Sequence, residues 1–190
     1  MTADGSSEHV PDEAAITALV AKQQITEVLY RRARAGDRRD IKLALACYHE
    51  GATEDHEGHS GPAAEFILNT SMISPGSAVP VTCLWHFISN VLIDLAGDEA
   101  DVESYHIAVV VRDEDSGQTQ SRICGRYLDK FAYRDGRWAI TARRVVFDWS
   151  RVDPASPAYW DLAGLDEAKL LKGRFGADDP LYSHLGITRG

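Results

Sequence analysis

No apolar run in this 190-residue sequence approaches the ~20 residues that a membrane-spanning helix needs. Its polar, acidic start, MTADGSSEHVPDE, also lacks the apolar centre of a secretory leader. Both absences point to a cytoplasmic protein with no membrane partner. Basic stretches are scarce as well. Against 29 Asp and Glu stand 20 Lys and Arg, a net charge of −9, and the one basic cluster, YRRARAGDRRD, reads as a solvated helix face. A nucleic-acid partner is therefore not expected. The three cysteines, Cys47, Cys83 and Cys124, lie far apart and form no CxxC. They read as reduced, buried thiols rather than as metal knuckles or nucleophiles. Internal repeats and low-complexity blocks are missing too.

What remains is a globular chain, 44% hydrophobic and 26% charged, long enough for one domain with short extensions. Residues 1–13 read as a disordered acidic tail, residues 14–151 as the domain, and residues 152–190 as an extension that packs on the body or on a neighbouring subunit. In EAAITALVAKQQITEVLYRRARAGD, the residues Ile16, Leu19, Val20, Ile25, Val28, Leu29 and Ala33 recur mostly at helical spacing, and Gly36 marks the stop. Asp40 can cap a short second helix, IKLALACY. After a strand at ATEDHEG, Pro62 sits in the first turn of a third helix. Four long strand-like runs follow, separated by the hairpin signals AGDE, EDSG and RDG. One helix is expected around LDEAKLLKG. Helices first and an antiparallel meander after them make an α+β layout, in which a curved sheet packs its inner face on the helices.

TCLWHFISNVLIDL has the composition of a buried strand, yet carries His86 at its centre. Alternation groups His86 with Leu84, Ile88, Asn90 and Leu92, and in the next strand groups His106 with Val102, Ala108 and Val110. Two histidines thus point toward an apolar interior, where the ordinary role is a satisfied core side chain. On the first helix Tyr30, Ala33 and Asp37 share one face. A carboxylate at that helix end gains nothing from the helix dipole. Asp37 is either solvated in a turn or hydrogen-bonded to an imidazole, fixing its tautomer so that it can take a proton near neutral pH.

The order of helix ITEVLYRRARAGDRRD, strand LWHFISN, strand GRYLDKFAYRDGRW and strand ARRVVFDW resembles the SnoaL-like members of the NTF2-like superfamily, over residues 14–151. The resemblance implies a cone-shaped α+β barrel, with a strongly curved mixed or antiparallel sheet closed by N-terminal helices around a deep apolar pocket, in a homodimer or homotrimer. It also implies a cofactor-independent lyase, of dehydratase type, acting on a cyclic, aromatic or steroid-like hydrophobic small molecule. His86 would be the base and Asp37 its orienting acid, while Tyr30, His106 and Arg143 would handle the leaving group. Asn90, Ile123 and Tyr127, with Leu84 and Ala33, would line the pocket. Strand alternation groups Arg144 rather than Arg143 with Trp138 and Ile140, and only one of the two can point inward unless a bulge intervenes. Aldehyde-releasing elimination would use the same groups. An isomerase, or a non-catalytic ligand-binding or accessory subunit, is the alternative on this fold.

TEDHEGH offers His56 and His59 beside Glu54, Asp55 and Glu57, a possible metal set. Read along one strand, the H-x-x-H spacing puts the two rings on opposite sides, and no metal is assigned.

Overall fold

The computed structural model describes residues 12–56, 58–70, 81–115, 117–154 and 158–187. The tail read at the N-terminus therefore lies, up to residue 11, outside the described residues. Helix α1 spans Glu13–Arg38 and opens on Asp12, whose carboxylate accepts from the Ala15 N–H at 2.7 Å. It runs past the expected stop at Gly36. The chain leaves the helix only at Arg39, in the left-handed region with φ 52°, so Asp37 sits within the last turn. Ile25, Val28, Leu29, Arg32, Ala35 and Gly36 form its buried stripe. Ile16, Leu19 and Val20, expected on that stripe, are exposed at the N-terminal end of the helix.

Asp40 caps α2 (Ile41–Ala46) by accepting from the Leu43 N–H. The chain then forms β1 (Tyr48–His56), β2 (His59–Pro62) and α3 (Ala63–Asn69). Four long strands complete the body: β3 (Val81–Ala96), β4 (Glu99–Glu114), β5 (Gly117–Arg134) and β6 (Arg137–Pro154). The single sheet has the order β2-β1-β6-β5-β4-β3 and is mixed, because β1 runs parallel to β6 while every other pair is antiparallel. At the β5–β6 turn, Asp135 and Gly136 both take positive φ, as a two-residue hairpin of matching twist requires.

The core lies between the sheet's inner face and the helices. Ile25 and Leu29 of α1, Ile67 of α3, and Phe131 and Ile140 of the sheet are almost completely buried there. On β4 the expected alternation holds throughout, with Val102, His106, Ala108 and Val110 all buried. On β3 it does not. Asn90, at φ 46°, is a bulge where Asn90 and Val91 lie between the pairs Ser89–Tyr105 and Leu92–Glu103. Beyond the bulge Leu92 is exposed and Ile93 is buried, the reverse of uninterrupted alternation.

The helix expected around LDEAKLLKG is reduced to a 3-10 turn at Glu167–Lys169. No apolar stripe supports more, and Leu171 is 85% exposed. The C-terminal extension instead holds α4 (Tyr159–Leu162) and α5 (Pro180–Leu185). Phe175 packs against the cluster of Val81, Leu84, Val110 and Ile123. The Arg39 guanidinium lies 4.0 Å from the Phe175 ring centroid, Asp179 pairs with Arg38 at 3.2 Å, and the Tyr182 hydroxyl donates to Asp40.

Candidate active site

The C-terminal end of α1 crosses β3 where Gly36 meets His86. A Cβ on Gly36 would stand 3.6 Å from the His86 ring, so the small residue lets the two elements approach closely. That approach delivers Asp37 to the histidine. Its Oδ1 lies 2.7 Å from Nδ1 of His86, and its Oδ2 accepts from the His86 backbone N–H at 3.2 Å. Both side chains are 14% exposed. The carboxylate is thus held at two points by the residue it orients. With Nδ1–H committed to Asp37, the unprotonated lone pair of the neutral ring lies on Nε2.

His86 lines a hollow between α1 and the sheet together with Leu29, Arg32, Ala33 and Gly36 of α1, His56, Phe66, Thr70, Leu84, Tyr127 and Arg143. The hollow holds about 30 Å³, room for a water-sized group. Its wall combines the apolar Leu29, Ala33, Phe66 and Leu84 with cationic and imidazole side chains. Leu84, Ala33 and Tyr127 stand where the sequence reading put them.

Arg143 faces this hollow and Arg144 faces out. The bulge foreseen as the condition is present: Thr141 of β6 is skipped between the pairs Phe131–Ile140 and Lys130–Ala142, which reverses the alternation before Arg143. Its guanidinium makes a two-pronged contact with Asp129, 2.7 Å on each prong, and lies 4.1 Å from the Tyr127 ring centroid. Burial opposes the charge, but Asp129, Tyr48 and Glu54 outweigh it and hold Arg143 protonated. Burial pushes the Tyr127 phenol up to about 12, against the pull of Arg143 and Arg32, so it remains a hydrogen-bond donor.

Three expected site residues stand elsewhere. Tyr30 is half exposed and does not line the hollow, because the buried stripe of α1 passes through Leu29 and Arg32 instead. Asn90 is exposed at the β3 bulge, and its left-handed backbone breaks the alternation that grouped it with His86. Ile123 belongs to the separate cluster with Val81, Leu84 and Val110. His106 is buried beside the site without lining the hollow. Its ring stacks on Tyr127, centroids 4.2 Å apart, and its Nδ1 has no partner among the described residues. Burial above all, then the charges of His86 and Arg143, lower its pKa from 6.5 to about 4, so it is neutral at neutral pH.

The sequence reading missed a second polar chain on the same wall. Arg32 Nε donates to the Tyr48 hydroxyl at 3.1 Å, which donates to Glu54 Oε2 at 2.7 Å, while Glu54 Oε1 meets His56 Nδ1 at 3.1 Å. Burial raises the Glu54 pKa, but the His56 hydrogen bond, the Arg143 and Arg32 charges and the Tyr48 hydrogen bond together hold it below the usual range. A signal was present. Arg32 shares helical spacing with Ile25, Leu29 and Gly36, and Glu54 alternates with buried Ala52. His56 and His59 face each other across the β1–β2 hairpin, and both rings rest near Phe66, at 4.5 and 5.6 Å. The hairpin, which the single-strand reading lacked, puts them on one side. His59 bonds the Pro62 carbonyl, and among the described residues no group of three His, Cys, Asp or Glu is placed to hold a metal ion.

Solved structures share this architecture at low sequence identity. A candidate scytalone dehydratase from Novosphingobium aromaticivorans DSM 12444 is 18% identical with a TM-score of 0.62, covering 75% of this chain and 98% of that one. A hexachlorocyclohexane dehydrochlorinase (LinA) type 2 is 15% identical with a TM-score of 0.55, covering 76% and 96%. An NTF2-like superfamily protein from Salmonella enterica subsp. enterica serovar Typhimurium str. LT2 is 18% identical with a TM-score of 0.59, covering 75% and 96%. At these identities the likeness shows the fold, an NTF2-like cone. No curated protein matches in sequence. The SnoaL-like domain matches residues 10–144, and this chain belongs to that family.

Proposed function

We propose that this chain is a cofactor-independent lyase, eliminating water from a cyclic, aromatic or steroid-like small molecule. The observation that carries the reading is the 2.7 Å contact of Asp37 with His86, opening on a hollow that also holds Arg143 and Tyr127. His86 Nε2 removes a proton from a carbon next to a carbonyl. Arg143 and the Tyr127 phenol stabilise the negative charge that develops on the carbonyl oxygen, in surroundings where little water competes. The β carbon–oxygen bond then breaks and water departs. The same base and charge clamp would serve an aldehyde-releasing elimination. A hollow of about 30 Å³ is smaller than any ring substrate, so binding requires the wall to part.

A β-hydroxy tetralone tests the reading, since its dehydration gives naphthol with a large ultraviolet change. The wild type turns it over and His86→Gln, folded by circular dichroism, does not. Undiminished turnover by His86→Gln removes the assignment. We further read the chain as a homodimer or homotrimer joined through the outer sheet face. There Phe87, Ile107, Cys124 and Trp149 lie in register across four strands, flanked by exposed Trp85 and Tyr105. Sedimentation of a Trp149→Lys variant as a smaller species supports that assembly. The three free cysteines accord with a reducing, cytoplasmic setting.

A further inference from the structure

We propose that His56 is the general acid of this site, the group that protonates the departing oxygen; this rests on the lyase reading above. Hydroxide is a poor leaving group and needs a proton as the carbon–oxygen bond breaks. The residues expected for that task do not serve it. Tyr30 is half exposed and does not line the hollow, His106 lies outside the hollow's wall and is neutral, and a guanidinium such as Arg143 does not give up a proton.

His56 lines the same water-sized hollow as His86, so a group held there has both imidazoles in its wall. It is built as a second carboxylate–imidazole pair. Its Nδ1 faces Glu54 Oε1 at 3.1 Å, its ring stacks on Phe66 with centroids 4.5 Å apart, and the side chain is 12% exposed. Glu54 in turn is held by Tyr48, and Tyr48 by Arg32. A packing histidine needs no ionised, buried carboxylate behind it. With Nδ1–H on Glu54, Nε2 of the imidazolium is the nitrogen left to donate.

The step balances without a co-reactant. His86 Nε2 takes the α proton, the electron pair of that carbon–hydrogen bond becomes the new double bond, and the carbon–oxygen bond breaks. The oxygen then leaves as water with the proton from His56 Nε2. His86 ends protonated and His56 neutral, and one proton passed from His86 to His56 through water in the hollow resets the site.

Two substrates test this, the β-hydroxy tetralone and its β-acetoxy counterpart, whose acetate leaves without a proton. In His56→Gln, kcat/KM for the hydroxy substrate falls at least about 100-fold while the acetoxy substrate stays within about threefold. Equal losses on both overturn the proposal, since lost packing against Phe66 does not sense the leaving group. Should His56→Gln not fold, wild-type pH profiles decide. The alkaline fall in kcat/KM is present for the hydroxy substrate and absent for the acetoxy one, and identical profiles overturn the assignment. His86→Gln loses both substrates; if it retains both, the base assignment fails, a result distinct from failure of the acid.

Discussion

Removing the Asp129 carboxylate leaves a guanidinium with nowhere to go. Arg143 and Asp129 are 4% and 0% exposed in their side chains, and the pair is joined by two contacts of 2.7 Å. In Asp129→Ala the arginine keeps its charge, because its proton cannot be shed, and faces Tyr127 without its two-pronged partner, the charge of Glu54 acting on it without a hydrogen bond. Breaking one side of a buried pair costs ~3–5 kcal/mol. For a chain of this size each kcal/mol lowers Tm by about 2–4 °C, giving a fall of roughly 6–20 °C. Thermal circular dichroism measures it. The companion variant Asp129→Leu with Arg143→Met removes both charges and conserves volume, and should melt above Asp129→Ala. If the single variant melts within a few degrees of the parent, or below it the double variant melts lower still, the pair is not what stabilises this wall.

Asp37→Asn keeps the shape of the carboxylate but not its hold on the imidazole tautomer, and should lower kcat by roughly 10²–10⁴ with the near-ultraviolet spectrum unchanged. Gly125→Ala places a Cβ 2.1 Å from the Val146 carbonyl oxygen and 2.9 Å from the His106 ring, so a loss above about 2 kcal/mol is expected in urea unfolding. His106 binds a proton near 6.5 when unfolded and only near 4 when folded, so its neutral burial is fully tolerated above pH 6.5 and stability is lost as pH falls toward 4. Replacing it by Leu should flatten that loss, measured as the urea midpoint at several pH values; an unchanged acid slope would assign the sensitivity to other groups.

The residues alone left Asp37 open between a solvated turn and an imidazole partner, and it was the resemblance to SnoaL-like chains that paired it with His86. Strand alternation, which holds between Leu84 and Ile88 ahead of the bulge at Asn90, put His86 on the inner face. Tyr30 failed for a quantitative reason: a helical face is about 100° per residue wide in its steps, and a choice between Tyr30 and its neighbours Leu29 and Arg32 turns on which side meets the sheet. Only packing decides that. Glu54 and His56 were visible as residue types but not as partners of Tyr48, at the start of the same strand, and of Arg32, on α1. Contacts between elements carry no local pattern.

The bulges set the rest of the site, and their effect is to move function across the sheet. A strand with strict alternation can offer the hollow only one parity of residues. Thr141 shifts β6 so that Trp138 and Ile140 fill the core while Arg143 turns into the hollow. Asp148, skipped between the pairs Gly125–Phe147 and Cys124–Trp149, shifts it again, so that Phe147 approaches His56 at 5.9 Å while Trp149 turns outward. Asn90 does the same on β3, letting His86 face α1 in one half and Ile93 enter the core in the other. Each irregularity separates a stretch that packs from a stretch that serves the site. Deleting Thr141 would remove the extra residue yet leave Ala142 opposite Lys130 and Arg143 opposite Asp129, so Arg143 should still face the hollow and turnover should persist; a loss of turnover with His86 and Asp37 intact would show that the site needs the local bend of the bulge and not only the inward side of Arg143.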